Sequence, residues 1–119
     1  MLFRSEKKPE EAVVQFELAT RLFPEYLHAL NKLGEQCAIL GKAELAQTAY
    51  EKAIAVNPKY ALSYINLGIL FVSQKRYDDA VPVLESGNRL EDTFPMGHMH
   101  LGLAYMLKSA PNNESAEKE

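Results

Sequence analysis

The sequence predicts an all-α protein, a solenoid of antiparallel helix pairs with about six helices. The dipeptide Leu-Gly recurs at Leu33, Leu67 and Leu101, at an interval of 34 residues. Apolar residues recur at steps of three and four, as on the buried face of a helix. No segment alternates apolar and polar residues over the length of a strand. A repeat of this period is typical of stacked helix pairs.

Several other positions repeat at the same interval, and each keeps its type of side chain. They are Ala12, Ala46 and Ala80; Phe16, Tyr50 and Leu84; Ala19, Ala53 and Gly87; Tyr26, Tyr60 and Phe94; and Pro24 and Pro58. Small residues let two helices approach closely, and bulky residues fill the adjoining space. Since neither helix of a pair can bury its apolar stripe alone, neighbouring repeats must stabilise one another.

Helix start and stop signals divide the chain. We predict helices over about 9–23, 26–40, 43–56, 60–74, 77–90 and 96–107. Pro9, followed by two glutamates, favours the start of the first helix. Gly41 suits the left-handed position after the second. Pro82 falls within the first two turns of the fifth, where it removes one backbone hydrogen bond. Asp92 replaces the prolines of the earlier links, and we expect that link to differ in shape.

Composition and net charge limit the kinds of function that the chain can have. The 119 residues are 47% hydrophobic and 24% charged, which fits one ordinary globular domain. A net charge of −3 disfavours a nucleic-acid partner. There is neither an apolar run long enough to span a membrane nor a signal peptide, so we expect no membrane insertion and a cytoplasmic location. Cys37 is the one cysteine, and no internal disulfide can form.

The repeated positions follow a known pattern. Counted from Leu27, the first repeat reads Leu30, Leu33, Gly34, Cys37, Ala46, Tyr50, Ala53, Pro58, and the second reads Tyr64, Leu67, Gly68, Phe71, Ala80, Leu84, Gly87, Asp92. This resembles the signature of the tetratricopeptide repeat and implies a right-handed α-solenoid over nearly all of residues 1–107. The departures are Cys37 in an aromatic position, His98 in a bulky one, Gly87 for Ala and Asp92 for Pro.

In this register the array covers residues 1–107 as a partial repeat 1–26, full repeats 27–60 and 61–94, and a partial repeat 95–107. Residues 108–119 form a polar tail that resembles the start of a truncated helix. The segment from Met1 to Glu6 resembles the end of an earlier helix, with Phe3 in the aromatic position. We expect a fragment of a longer array, or a partial array completed by another chain.

The resemblance also implies a concave groove lined by the first helix of each pair. The implied lining residues are His28, Asn31, Glu35 and Ala38; Leu62, Ile65, Ile69 and Val72; and Met96, Met99, Leu103 and Met106. Leu62, Ile65, Ile69, Met99 and Leu103 would be apolar anchors, and His28, Asn31 and Glu35 would be polar contacts. The alternative is that further helices cover these positions as ordinary core.

The leading hypothesis is therefore a module that binds a peptide or helix of a partner protein. One known groove chemistry of the family is a clamp of Lys, Asn and Arg for a chaperone's terminal carboxylate. Asn66 alone matches it, because Glu35, Met96 and His100 stand at other clamp positions. Two alternatives are homotypic assembly through the apolar sixth helix, by exchange of terminal helices for example, and a regulatory segment of a larger protein.

Residues able to support catalysis are few. His98 and His100 stand two apart on a helix and point to different faces, so they do not form the usual pair of metal ligands. Cys37 occupies an interior position, where a thiol is normally inert. With neither an acid–base pair nor an activated nucleophile, we expect a protein that is not an enzyme and that has no cofactor or metal.

Overall fold

The computed structural model describes the backbone of residues 2–108 and the side chains of residues 8–108. Within those residues the chain forms six helices and no strand: α1 (Leu2–Leu22), α2 (Leu27–Ile39), α3 (Ala43–Val56), α4 (Ala61–Ser73), α5 (Tyr77–Leu90) and α6 (Pro95–Lys108). The all-α solenoid predicted from the repeat period is confirmed. The expectation for Phe3 in an aromatic position lies outside the described side chains. Of the polar tail expected over residues 108–119, Lys108 ends α6 and residues 109–119 lie outside the described part of the chain.

The helices form two layers. The inner layer contains α2, α4 and α6, which pack against one another in sequence. The outer layer contains α1, α3 and α5, whose Cα atoms approach no closer than 8 Å between helices. Because the inner helices are the more closely spaced, the inner layer forms the concave side of the stack.

The first helix differs from its predicted form. A start at Pro9 is wrong, because α1 is continuous from Leu2 to Leu22 with Pro9 inside it. Residues 2–8 contain neither Gly nor Pro. A single proline inside a helix removes one backbone hydrogen bond, and the intact bonds around it hold the helix together.

The link around Asp92 keeps the length of the other links but not their hydrogen bond. The three links between pairs, 23–26, 57–60 and 91–94, have the same length. A backbone hydrogen bond closes the first two, from Tyr26 N to Phe23 O at 3.0 Å and from Tyr60 N to Asn57 O at 3.2 Å, and none joins Phe94 N to Glu91 O. The residue before each of the last two turns is extended, with φ −142° at Asn57 and φ −152° at Glu91. Asp92 in place of proline leaves the length of the link unchanged, because the first central position of a β-turn accepts residues other than proline.

The first helix of each complete pair, α2 or α4, ends in the same type of cap. After α2, Gly41 has φ 78°, and Lys42 N donates to Cys37 O at 2.8 Å. After α4, Lys75 has φ 62°, and Arg76 N donates to Phe71 O at 2.8 Å. Both caps are Schellman motifs, in which a left-handed residue lets the last carbonyls find donors. The glycine prediction is confirmed at residue 41, and a lysine takes the same conformation at residue 75.

The core is built around the glycines that recur every 34 residues. A Cβ atom built at Gly34 would overlap the Tyr50 ring, and one built at Gly68 would overlap Leu84. Ala46, Ala53, Ala80 and Leu84 are fully buried between the layers. The paired glycine and bulky residue thus set the close approach of α2 to α3 and of α4 to α5.

Candidate binding groove

The inner layer presents most of the sequence-predicted groove residues on one side of the stack. His28 is exposed, and Glu35, Ala38, Leu62, Ile69, Val72 and Leu103 are partly exposed. Met96, Met99 and Met106 are 48%, 52% and 61% exposed. Two predicted contacts, Asn31 and Ile65, lie instead in the interior.

Ile65 is a core residue. Its side chain is 1% exposed and lies against Gly87 of α5 and Gly97 of α6. The prediction that it offers an apolar anchor is wrong, because the two neighbouring glycines leave space into which the isoleucine packs. Among the predicted anchors, Leu62, Ile69, Met99 and Leu103 retain accessible surface.

Asn31 is 5% exposed and links two inner helices. Its Nδ2 atom donates to Ser63 Oγ at 3.1 Å and to Leu27 O at 3.2 Å. Its Oδ1 atom accepts a hydrogen bond from Asn66 Nδ2 at 3.3 Å. A buried polar group with its partners satisfied fixes the relative position of the helices that it joins. Asn31 is therefore a structural bridge between α2 and α4, and its predicted role as an open polar contact is wrong.

The remaining surface has a polar end and an apolar end. At the polar end, Glu35 forms an ion pair with Lys32 at 3.3 Å, and the ring of His28 tilts against Tyr26 with the centroids 6.3 Å apart. At the apolar end, α6 exposes its three methionines. Methionine has a flexible, polarisable side chain that adapts to differently shaped apolar partners.

A second concavity lies on the outer side, between α1 and α3, and sequence reasoning missed it. Its volume is about 510 Å³. Leu30, Leu33 and Cys37 of α2 contribute to its lining, together with charged residues such as Arg21 and Lys52. The sequence signal was Leu45, an outer-face leucine that is 52% exposed at the position where the second repeat has Asp79.

The thiol and the imidazoles have structural surroundings. Cys37 is 1% exposed, and burial, with a smaller contribution from Glu17, raises the pKa of its thiol above the ordinary value while Lys42 opposes the shift. His98 Nε2 lies 2.8 Å from Asp92 O, and His100 Nδ1 lies 2.9 Å from Met96 O. Within residues 8–108 no three His, Cys, Asp or Glu side chains are grouped to hold a metal ion.

One buried polar side chain in the described part of the chain has no hydrogen-bond partner. Both polar atoms of the Asn88 amide are buried between α5 and α6 without a donor or acceptor in range. A Cβ atom built at Gly97 would overlap the Asn88 side chain. The corresponding residue of the first repeat is the apolar Ile54. Burial of this unpaired amide therefore lowers the stability of the fold. The position of the Asn88 side chain also explains why the third residue of α6 is a glycine.

The two layers, the 34-residue register and the paired glycines define a helical-repeat protein of the kind that presents a concave surface. Residues 34–74 match the family described as TPR repeat. The chain thus has the fold of tetratricopeptide-repeat domains. Within the described residues, no helix is both long and apolar enough to cross a membrane.

Curated relatives match nearly the whole chain at modest identity. BBSome complex member BBS4 of Bos taurus is 26% identical over 108 residues, which are 91% of this chain and 21% of that protein. Tetratricopeptide repeat protein 7B of Homo sapiens is 27% identical over 109 residues, 92% of this chain and 13% of that protein. The chain thus spans about a fifth or less of these relatives.

Solved structures agree in fold. The first TPR of Spaghetti (RPAP3) bound to the HSP90 peptide SRMEEVD superposes with a TM-score of 0.83 at 17% identity, covering 91% of this chain and 86% of that one. MamA superposes with a TM-score of 0.80 at 25% identity, covering 98% of this chain and 67% of that one. The likeness to the Spaghetti domain concerns the fold alone.

Proposed function

We propose that the chain binds an apolar peptide or helix of a partner protein on the concave side of its inner layer. The observation that carries the proposal is the row of accessible apolar side chains on α4 and α6. Leu62, Ile69 and Val72 are partly exposed on α4. Met99 and Met106 are more than half exposed on α6. An apolar surface on this scale is typical of a protein-binding site.

The energetics favour a few apolar anchors. Fully burying a side chain of this size contributes about 1.5–3 kcal/mol. A handful of such contacts at the centre of an interface dominates its affinity. The hydrogen bonds of Asn31 hold α2 against α4 before any partner arrives, so little ordering energy is lost on binding.

The proposed partner differs from the acidic peptide in the Spaghetti complex. The corresponding surface here has Glu35 at one end and methionines at the other. An acidic peptide would meet the like charge of Glu35, and the Lys32 ammonium beside it is already paired with that carboxylate. A peptide with Leu, Ile, Met or Phe at helical spacing fits the apolar row.

The repeats themselves provide a matched pair of test substitutions. Ile69→Glu places an acidic residue in the groove at the position where the first repeat has Glu35. Leu45→Asp places an acidic residue on the outer side at the position where the second repeat has Asp79. Since each change installs a side chain that the other repeat already tolerates, both variants should keep their helical circular dichroism.

The experiment selects ligands from a displayed library of random peptides about 15 residues long, long enough for four helical turns. We expect apolar peptides that bind the unchanged protein and Leu45→Asp equally, and that bind Ile69→Glu at least about tenfold more weakly. The peptide SRMEEVD is expected not to bind. Retained affinity in Ile69→Glu, or selection of acidic peptides that require a free carboxyl terminus, would refute the proposal.

A further inference from the structure

The third Leu-Gly dipeptide has a different environment from the first two. No atom among the described residues lies within 4 Å of a Cβ built at Gly102, whereas Tyr50 and Leu84 fill the space beside Gly34 and Gly68. Beside Gly102, α6 thus has room for a helix with a bulky residue at the position of Tyr50.

The other end of the stack has the complementary face. Within residues 2–108, α1 packs only against α2. Phe16 occupies on α1 the position that Tyr50 occupies on α3, but it is only partly buried, while Tyr50 is 3% exposed.

We propose that a second copy of this chain docks head to tail, with its α1 packed on α6 and its Phe16 seated beside Gly102. The docked pair would reproduce the α2–α3 and α4–α5 pairs, in which a bulky residue already lies against a glycine. The arrangement of α1 relative to α2 repeats that of α3 relative to α4. A second copy docked in this way therefore continues the superhelix with helix arrangements that the chain already contains. Because the two faces differ, the contact is heterologous and each copy keeps one open end.

The proposal is independent of the groove proposal, since the two concern different faces. Gly102→Leu should block the face of α6 beside residue 102 while leaving the isolated chain intact, because the new side chain meets nothing within 4 Å and leucine favours a helix more than glycine does. Phe16→Glu should block the complementary face. Leu45→Asp, on the outer face of α3, is the matched control.

Sedimentation of the full chain from about 10 µM to 1 mM, a range that covers weak interfaces, tests the proposal. We expect the average mass to rise with concentration for the unchanged protein and for Leu45→Asp. Each blocked variant alone should associate at least about tenfold more weakly. An equimolar mixture of the two should form a dimer and stop there, because each partner has one intact face.

Other outcomes overturn the proposal. If the Phe16→Glu variant still associates with itself, the contact is instead a symmetric one between two α6 helices. A monomeric unchanged protein whose melting temperature falls in Gly102→Leu would indicate that residues 109–119 of the same chain occupy the face. Ile69→Glu should associate like the unchanged protein, so failure of the groove proposal would be seen separately.

Discussion

At the scale of single residues, identical dipeptides have different physical roles. Leu33-Gly34, Leu67-Gly68 and Leu101-Gly102 cannot be told apart in the sequence. The first two glycines lie against Tyr50 and Leu84, and the third has open space beside it in the described structure. The absence of a Cβ atom is therefore required at two positions and not at the third.

Alanine substitution should separate these roles. Gly68→Ala forces a methyl group into Leu84, and we expect the free energy of unfolding to fall by about 1–3 kcal/mol, as for other overpacked cores. Gly102→Ala should leave it unchanged or raise it by up to about 1 kcal/mol through helix propensity. Urea unfolding measures both. Equal losses for the two variants would show that the third glycine is as closely packed as the second.

Ile65 and Asn31 are buried because of neighbouring residues on other helices, although the register predicts both in the groove. The register placed Ile65 and Asn31 at groove positions, and that placement could not show how far each side chain sinks between helices. Ile65 sinks because Gly87 and Gly97 leave space for it. Asn31 sinks because Ser63 and Asn66 supply its hydrogen-bond partners. Both causes lie on other helices, at distances along the chain that a single repeat does not reveal.

At the scale of the helix, two equivalent caps use different residues. Gly41 and Lys75 both have positive φ, at 78° and 62°. Left-handed backbone costs a residue with a Cβ atom about 1–2 kcal/mol, and glycine bears no such cost. The second cap is therefore the weaker one.

Exchanging the cap residues tests this directly. Lys75→Gly should raise the free energy of unfolding by about 0.5–1 kcal/mol, and Gly41→Lys should lower it by a similar amount. Nothing lies within 4 Å of a Cβ built at Gly41, so the loss would come from backbone conformation alone. Thermal unfolding monitored by circular dichroism measures both changes. A loss of stability in Lys75→Gly would contradict the assignment of strain to this residue.

Helix existence and order followed from the 34-residue register, and the limits of α3 and α5 match the predicted ranges. The predicted start of the first helix at Pro9 is wrong. The link after α5 keeps the length of the other links without a proline. A helix can continue through one proline, and a turn position that favours proline also accepts aspartate.

At the scale of the whole molecule, the curvature of the helix stack creates the candidate binding groove. The α2, α4 and α6 helices pack closely, and the α1, α3 and α5 helices stay apart. The sequence register could assign helices to layers, since equivalent helices recur, and the family resemblance implied which layer is concave. The register could not reveal the cleft between α1 and α3, because that cleft is formed by the separation of two helices whose Cα atoms lie more than 8 Å apart.

In the proposed complex the concave side, and not the outer cleft, binds the partner. Titration of the methyl-labelled protein with a selected apolar peptide, followed by methyl NMR, tests this most directly. We predict that the largest shifts occur at Ile69, Val72 and Met99, while the Leu45 methyls of the outer cleft stay unchanged. Shifts concentrated at Leu30, Leu33 and Leu45 would place the peptide in the outer cleft and rule out the concave site.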